Sequence, residues 1–134
     1  VLYLVKTTEA KKVLLVEDDD NIRLITRTSL EGLTSWSVIE ANSGQVALTL
    51  AGAELPDLIL LDIMMPGMDG PTTFSHLKEK ADTADIPVIF MTAKVQTQEL
   101  EGYIKLGAAG VITKPIDPML LPEQITGILE AAGC

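Results

Sequence analysis

Apolar and polar positions along this chain fall into short unbroken apolar runs separated by longer stretches of helical spacing, and four of the runs end on residues that can do chemistry. Val13-Leu14-Leu15-Val16 leads into Glu17-Asp18-Asp19-Asp20, and Leu58-Ile59-Leu60-Leu61 leads into Asp62. Val88-Ile89-Phe90-Met91 ends at Thr92, and Val111-Ile112-Thr113 ends at Lys114-Pro115. Short continuous apolar runs bounded by polar residues are what strands covered on both faces produce. The pattern predicts strands over 12–16, 35–41, 58–63, 110–113 and one ending at Thr92 after the Asp85-Ile86-Pro87 lead-in; the most hydrophobic, 58–63, belongs at the centre.

The intervening segments carry helix start and stop signals. A helix over 21–33 has Asp19 or Asp20 as its cap and Gly32 near its end, and Ser43 caps a second helix running through Leu50 and Gly52. A third starts near Gly70-Pro71, because proline at the first helical position loses nothing by lacking an N–H. A fourth spans 96–106 and stops at Gly107, and a fifth spans 118–132. Strict strand and helix alternation predicts an α/β fold with a parallel sheet and helices on both faces, joined by right-handed crossovers. In such a sheet the carboxyl ends of the strands line one crevice, where ligands bind.

Composition narrows the class. With 134 residues the chain is long enough for one domain with a real core, and 47% hydrophobic with 22% charged residues is ordinary for a soluble globular protein. Residues 1–11 are set apart as an N-terminal extension, and 12–134 form the expected domain. The net charge of -9 and the lack of any basic cluster beyond Lys11-Lys12 argue against direct nucleic-acid binding. One cysteine, Cys134, permits no internal disulfide and points to the reducing cytosol. No run is long enough to cross a membrane, and Val1-Leu2-Tyr3-Leu4-Val5 is too short for a signal peptide's apolar region, so a soluble cytoplasmic protein is expected.

The segments LLVEDD, PDLILLDIMMPGMDG, IPVIFMTA and GAAGVITKP, in this order and at these intervals, resemble the receiver domain of two-component response regulators. The likeness runs from about Lys12 to Ala132 and needs a separate match at each of four strand ends. It implies a doubly wound, flavodoxin-like five-stranded parallel sheet of order 2-1-3-4-5. It further implies that Asp62 is the phosphoacceptor, that Glu17 and Asp18 hold Mg2+ together with Asp62 and the backbone carbonyl of Met64, and that Thr92 and Lys114 contact the phosphoryl group. The chemistry is consistent: neighbouring carboxylates repel unless a cation compensates them, Mg2+ takes oxygen ligands from few carboxylates, and a carboxylate can attack phosphorus. The Lys114-Pro115 bond is expected to be cis, as in the family.

Other residues have plainer readings. Asp19 and Asp20 serve the helix N-terminus, Gly67 and Gly70 form turns, His76 is a surface side chain, Trp36 and Phe74 pack, and Met64, Met65 and Met68 are not soft metal ligands beside an acidic crevice. Departures from the commonest family pattern also appear. Val111 stands where many receivers carry an aromatic that rotates on phosphorylation, Ile116 replaces the usual aromatic after Lys-Pro, and Ala108-Ala109-Gly110 replaces the Asp-Asp-Tyr of one large DNA-binding subfamily. Met64 and Lys94 are expected to flank the path of the water that removes the phosphoryl group, and neither accepts a hydrogen bond well.

The function implied is a phosphorylation-controlled switch, not an enzyme acting on other molecules. Its expected partners are a histidine kinase or phosphotransfer protein and a downstream protein, bound through the fourth helix, fifth strand and fifth helix, where Tyr103 is either an adjustable contact or an ordinary packing residue. It would act alone or as the receiver of a larger protein. Two rivals belong to other classes: a hydrolase or phosphotransferase using an aspartyl-phosphate on small molecules, for which no lid segment is evident, and a degenerate receiver that only docks partners, although all the expected site positions are filled.

Overall fold

The computed structural model describes residues 10–93 and 96–134. Five parallel strands, β1 (Lys12–Val16), β2 (Ser37–Ala41), β3 (Leu58–Asp62), β4 (Val88–Thr92) and β5 (Gly110–Thr113), alternate with five helices. These are α1 (Asp20–Leu33), α2 (Gly44–Glu54), α3 (Gly70–Glu79), α4 (Thr97–Lys105) and α5 (Leu121–Ala131). The sheet order is β2-β1-β3-β4-β5, the doubly wound arrangement, with β3 in the middle as its composition requires.

Both faces of the sheet are covered, which is why β3 and β4 are buried at every position. On one face Leu14, Val16, Ile59, Leu61 and Phe90 pack with Ala47 and Ala51 of α2 and Phe74 and Leu77 of α3. On the other, Val13, Leu15, Leu58, Leu60, Ile89 and Met91 pack with Leu30 of α1 and Leu121, Ile125 and Leu129 of α5. Each such Leu or Ile stabilises the fold by about 1.5–3 kcal/mol relative to exposure. Truncating fully buried Leu60 to alanine would therefore cost about 2–5 kcal/mol. Trp36 and Phe74 are buried, as expected of packing residues.

Of the boundaries that differ from expectation, three have a local hydrogen-bonding reason. The second strand begins at Ser37 rather than at residue 35, because the Thr34 hydroxyl donates to the Leu30 carbonyl at 2.5 Å and accepts the Trp36 amide at 2.9 Å, which uses those residues to turn the chain. The last helix begins at Leu121 rather than at residue 118. There the Asp117 carboxylate accepts the Met119 amide at 3.0 Å and its carbonyl accepts the Leu120 and Leu121 amides, so Pro122, not Pro118, is the helical proline. The second helix runs past Gly52 to Glu54 and ends on Leu55, a non-glycine residue at φ 45° whose amide still reaches the Ala51 carbonyl at 3.0 Å.

The caps fit the sequence better. Asp19 accepts the Asn21 and Ile22 amides at the start of α1, and Ser43 accepts the Val46 amide at the start of α2. Asp69, one residue before the Gly70-Pro71 signal, caps α3 by accepting the Thr72 amide at 2.9 Å. Gly107, at φ 111°, closes the turn after α4 in a region that favours glycine.

Candidate functional site

Parallel registration carries the reactive residues to one end of the sheet. Glu17 follows directly on β1, its amide still bonded to the Ala41 carbonyl of β2 at 3.0 Å. Asp62 is the last residue of β3 and pairs with Met91, so Thr92 lies one step further along the neighbouring strand. Lys114 follows β5 and is tied to β4 by its amide, 2.8 Å from the Thr92 carbonyl. The Lys114-Pro115 bond is cis, as expected.

Side chains then converge across the strands. The Lys114 ammonium donates to Glu17 Oε1 at 2.6 Å and to Asp62 Oδ1 at 3.0 Å, so one cation from β5 bridges acids from β1 and β3. Glu17, Asp62 and Thr92 are all buried, whereas Asp18 is exposed at the rim. One carboxylate oxygen from each of Glu17, Asp18 and Asp62 can be chosen such that all lie within 4.8 Å of one another. This donor set, three carboxylates with no sulfur or imidazole, suits a hard divalent cation. Met65 is packed into the core, and the Met64 side chain is 63% exposed.

Burial pushes the Glu17 carboxyl up to about 7, and the charge on Asp62 pushes in the same direction; hydrogen bonds from Lys114 and from the Asp19 amide only partly offset this. For Lys114 burial favours the neutral amine, but the bonds to Glu17 and Asp62 outweigh it and hold the ammonium above the usual lysine range. The metal-free cluster thus holds more acid than one lysine neutralises. Such an imbalance is compatible with a cation site.

Two residues that meet the backbone of these acids escaped sequence reasoning. Gly70 is no simple turn residue: a Cβ there would stand 2.4 Å from the Asp62 carbonyl oxygen and 2.7 Å from Ile63 Cα, so α3 can begin directly against the backbone of Asp62 only with glycine. Gly67, at φ 78°, does keep its turn assignment. The second residue is Arg23, whose guanidinium reaches the Glu17 carbonyl at 2.9 Å. His76 is a surface residue 3.6 Å from Glu79, and Lys94 lies outside the described residues.

Comparison with known proteins decides the family. The model of the response regulator receiver domain matches residues 13–126. The chain belongs to that family. Among relatives of this receiver domain, the response regulator PleD of Caulobacter vibrioides is 40% identical over 120 residues, covering 87% of this chain and 26% of that protein. The probable transcriptional regulator ycf27 of Guillardia theta is 35% identical over 119 residues, covering 89% of this chain and 45% of the relative. The receiver domain therefore spans about half or less of these relatives' length. Among solved structures, the chemotaxis response regulator CheY4 of Vibrio cholerae superposes with a TM-score of 0.82 at 26% identity, covering 88% of this chain and 98% of that one. No helix among the described residues is long and apolar enough to cross a membrane.

Proposed function

We propose that this receiver domain is a phosphorylation-controlled switch in which Asp62 takes a phosphoryl group from a phosphohistidine of a histidine kinase or phosphotransfer protein and the domain then alters the face it offers a downstream protein. The observation that carries this reading is the Asp62 carboxylate, buried at the end of the central strand, with the Lys114 ammonium 3.0 Å from Oδ1 and two further acids beside it.

In the transfer, a carboxylate oxygen of Asp62 bonds to phosphorus as the P–N bond of the donor breaks, and the imidazole leaves with the electron pair. The chain's own contribution is positioning and charge. Lys114 carries an ammonium, now bonded to Glu17 and Asp62, that would contact the phosphoryl oxygens, and Thr92, one step along the neighbouring strand, offers a hydroxyl donor. Glu17, Asp18 and Asp62, with the backbone carbonyl of Met64, would hold Mg2+. When bound, the ion neutralises charge on the phosphoryl oxygens. The domain promotes only its own phosphorylation and the later loss of phosphate, and we place it in the cytosol. The downstream face is formed by α4, β5 and α5, beyond Thr92.

Incubation with acetyl phosphate and a magnesium salt should add one phosphoryl group, read by intact mass. Asp62→Asn should abolish the addition, and chelation of the metal should suppress it. Equal labelling of the substituted protein would reject Asp62 as acceptor.

A further inference from the structure

Arg23 sits on the first turn of α1, six residues beyond Glu17, and its side chain is only 18% exposed. Every group of its guanidinium is engaged. Nη1 donates to the Glu17 carbonyl at 2.9 Å, Nη2 to Asp20 Oδ1 at 2.6 Å, and Nε approaches Glu40 Oε1 at 3.3 Å. Glu40 lies on β2 and is held from its other oxygen by Arg27 at 2.7 Å. Glu17 is thereby fixed at both ends of its backbone, its amide by Ala41 of β2 and its carbonyl by Arg23. Its side chain is fixed at both oxygens, by Lys114 on Oε1 and by the Asp19 amide on Oε2 at 3.1 Å.

We propose that Arg23 is a positioning residue of the acid cluster: through a planar fork anchored on β2 it sets the turn that carries Glu17 and Asp18, and so sets the cluster's affinity for a divalent cation. This rests on the metal-binding reading of those acids given above. The sequence places the fork where it can do this, since Asp20 and Arg23 are spaced i, i+3 on one helix face and Glu40 pairs across from Leu15 of β1. A lysine could supply the charge at this position but not three divergent donors in one plane.

The sign of the effect separates positioning from plain electrostatics. Arg23 is a permanent cation close to an anionic site, so by Coulomb's law alone its removal would tighten binding of Mg2+. Positioning demands the opposite. Residues that orient ligands from behind typically change metal affinity by about 10–100-fold when lost.

The test is calorimetric titration with Mg2+ of the wild type, Arg23→Met, Arg23→Lys and Arg27→Met, with amide exchange at Asp19 followed in the metal-free proteins. Arg27→Met removes the same charge from the same helix and frees one oxygen of Glu40, but leaves the Arg23 bond to Glu17 in place. We expect binding about tenfold weaker in Arg23→Met and also weaker in Arg23→Lys, as for other groups that orient metal ligands. Binding by Arg27→Met should weaken less than in either Arg23 variant, and the Asp19 amide should exchange fastest in the Arg23 variants. Binding as tight as wild type or tighter in both Arg23 variants overturns the proposal, as does equal weakening in Arg27→Met. If the wild type itself takes up no Mg2+, the metal reading fails; Asp19 exchange then decides the positioning claim, unchanged protection refuting it.

Discussion

Gly70 abuts Asp62 so closely that the space a Cβ would need is occupied by the Asp62 carbonyl oxygen, 2.4 Å away, while the Gly70 amide bonds the Ile63 carbonyl at 2.9 Å. The start of α3 thus acts as a backstop for the strand end that carries Asp62. Gly70→Ala forces backbone against backbone, which has no soft side chain to yield. We expect a loss of about 1–3 kcal/mol in urea unfolding, the range for inserting an atom into packed structure, together with slower labelling by acetyl phosphate. Wild-type stability and labelling in this variant would show that the contact relaxes without consequence.

The pH dependence of the metal-free protein follows from Glu17. Its folded-state value, about 7, lies above the unfolded value of 4.5, so the folded state binds the proton more tightly. Its contribution to stability is fully present below the unfolded value and is lost as pH rises through the folded one. In the presence of chelator, the urea midpoint should fall across that window, and Glu17→Gln should flatten the fall. A midpoint that rises through the same window in the wild type, with no change on Glu17→Gln, would contradict this assignment. Added Mg2+ should oppose the trend, because metal binding favours the ionised carboxylate.

Signal lifetime should depend on side chains beside the path of the attacking water. Met64, two residues after Asp62, projects a 63% exposed thioether that accepts hydrogen bonds poorly. Lys94, two residues after Thr92 in the sequence, is donor-only. The paired substitution Met64→Asn with Lys94→Glu should speed loss of phosphate roughly tenfold or more, about 1.4 kcal/mol of barrier. Unchanged or slower decay after removal of the phosphodonor would refute water positioning while leaving Asp62 as acceptor.

Output should be felt at α4, which buries no residue fully and rests on the sheet through partly buried Tyr103, its ring centroid 4.9 Å from that of Phe90. An element held by so few buried contacts has a low free energy of local opening. With Val111 in place of an aromatic side chain, we expect any displacement of Thr92 to reach α4 without a ring rotation at that position. Adding beryllofluoride should change amide exchange mainly over 97–113. Changes confined to α1 and α2 would reject this route.

Strand ends were legible in the sequence because each apolar run stops abruptly on a polar residue, and a sheet covered on both faces leaves few other places to put such runs. Thus the registers that align Glu17, Asp62, Thr92 and Lys114 were implicit in the pattern. The start of β2 was misjudged because Trp36 looks like a strand residue while its amide is committed to the Thr34 hydroxyl. The start of α5 was misjudged because Pro118 mimics a first helical proline while Asp117 builds a turn there. Gly70 and Arg23 were missed for a different reason. Their importance lies in contacts with the backbone of Asp62 and Glu17, and no local spacing records a side chain, or the lack of one, meeting a distant main chain.

The lone tryptophan offers a practical consequence of the sheet's polarity. Trp36 lies just before β2, level with Lys11 by the register Lys12↔Ser37, whereas Glu17 and Asp62 lie at the opposite end of the strands. Six residues of extended chain separate those levels, about 20 Å at the rise of a parallel strand. The indole is a built-in fluorophore buried against Leu30 of α1 and Leu121, Ile125 and Leu129 of α5. Emission from Trp36 should therefore track denaturation with a large signal and stay silent on phosphorylation, so that one unlabelled sample reports unfolding optically while the covalent state is read separately by mass.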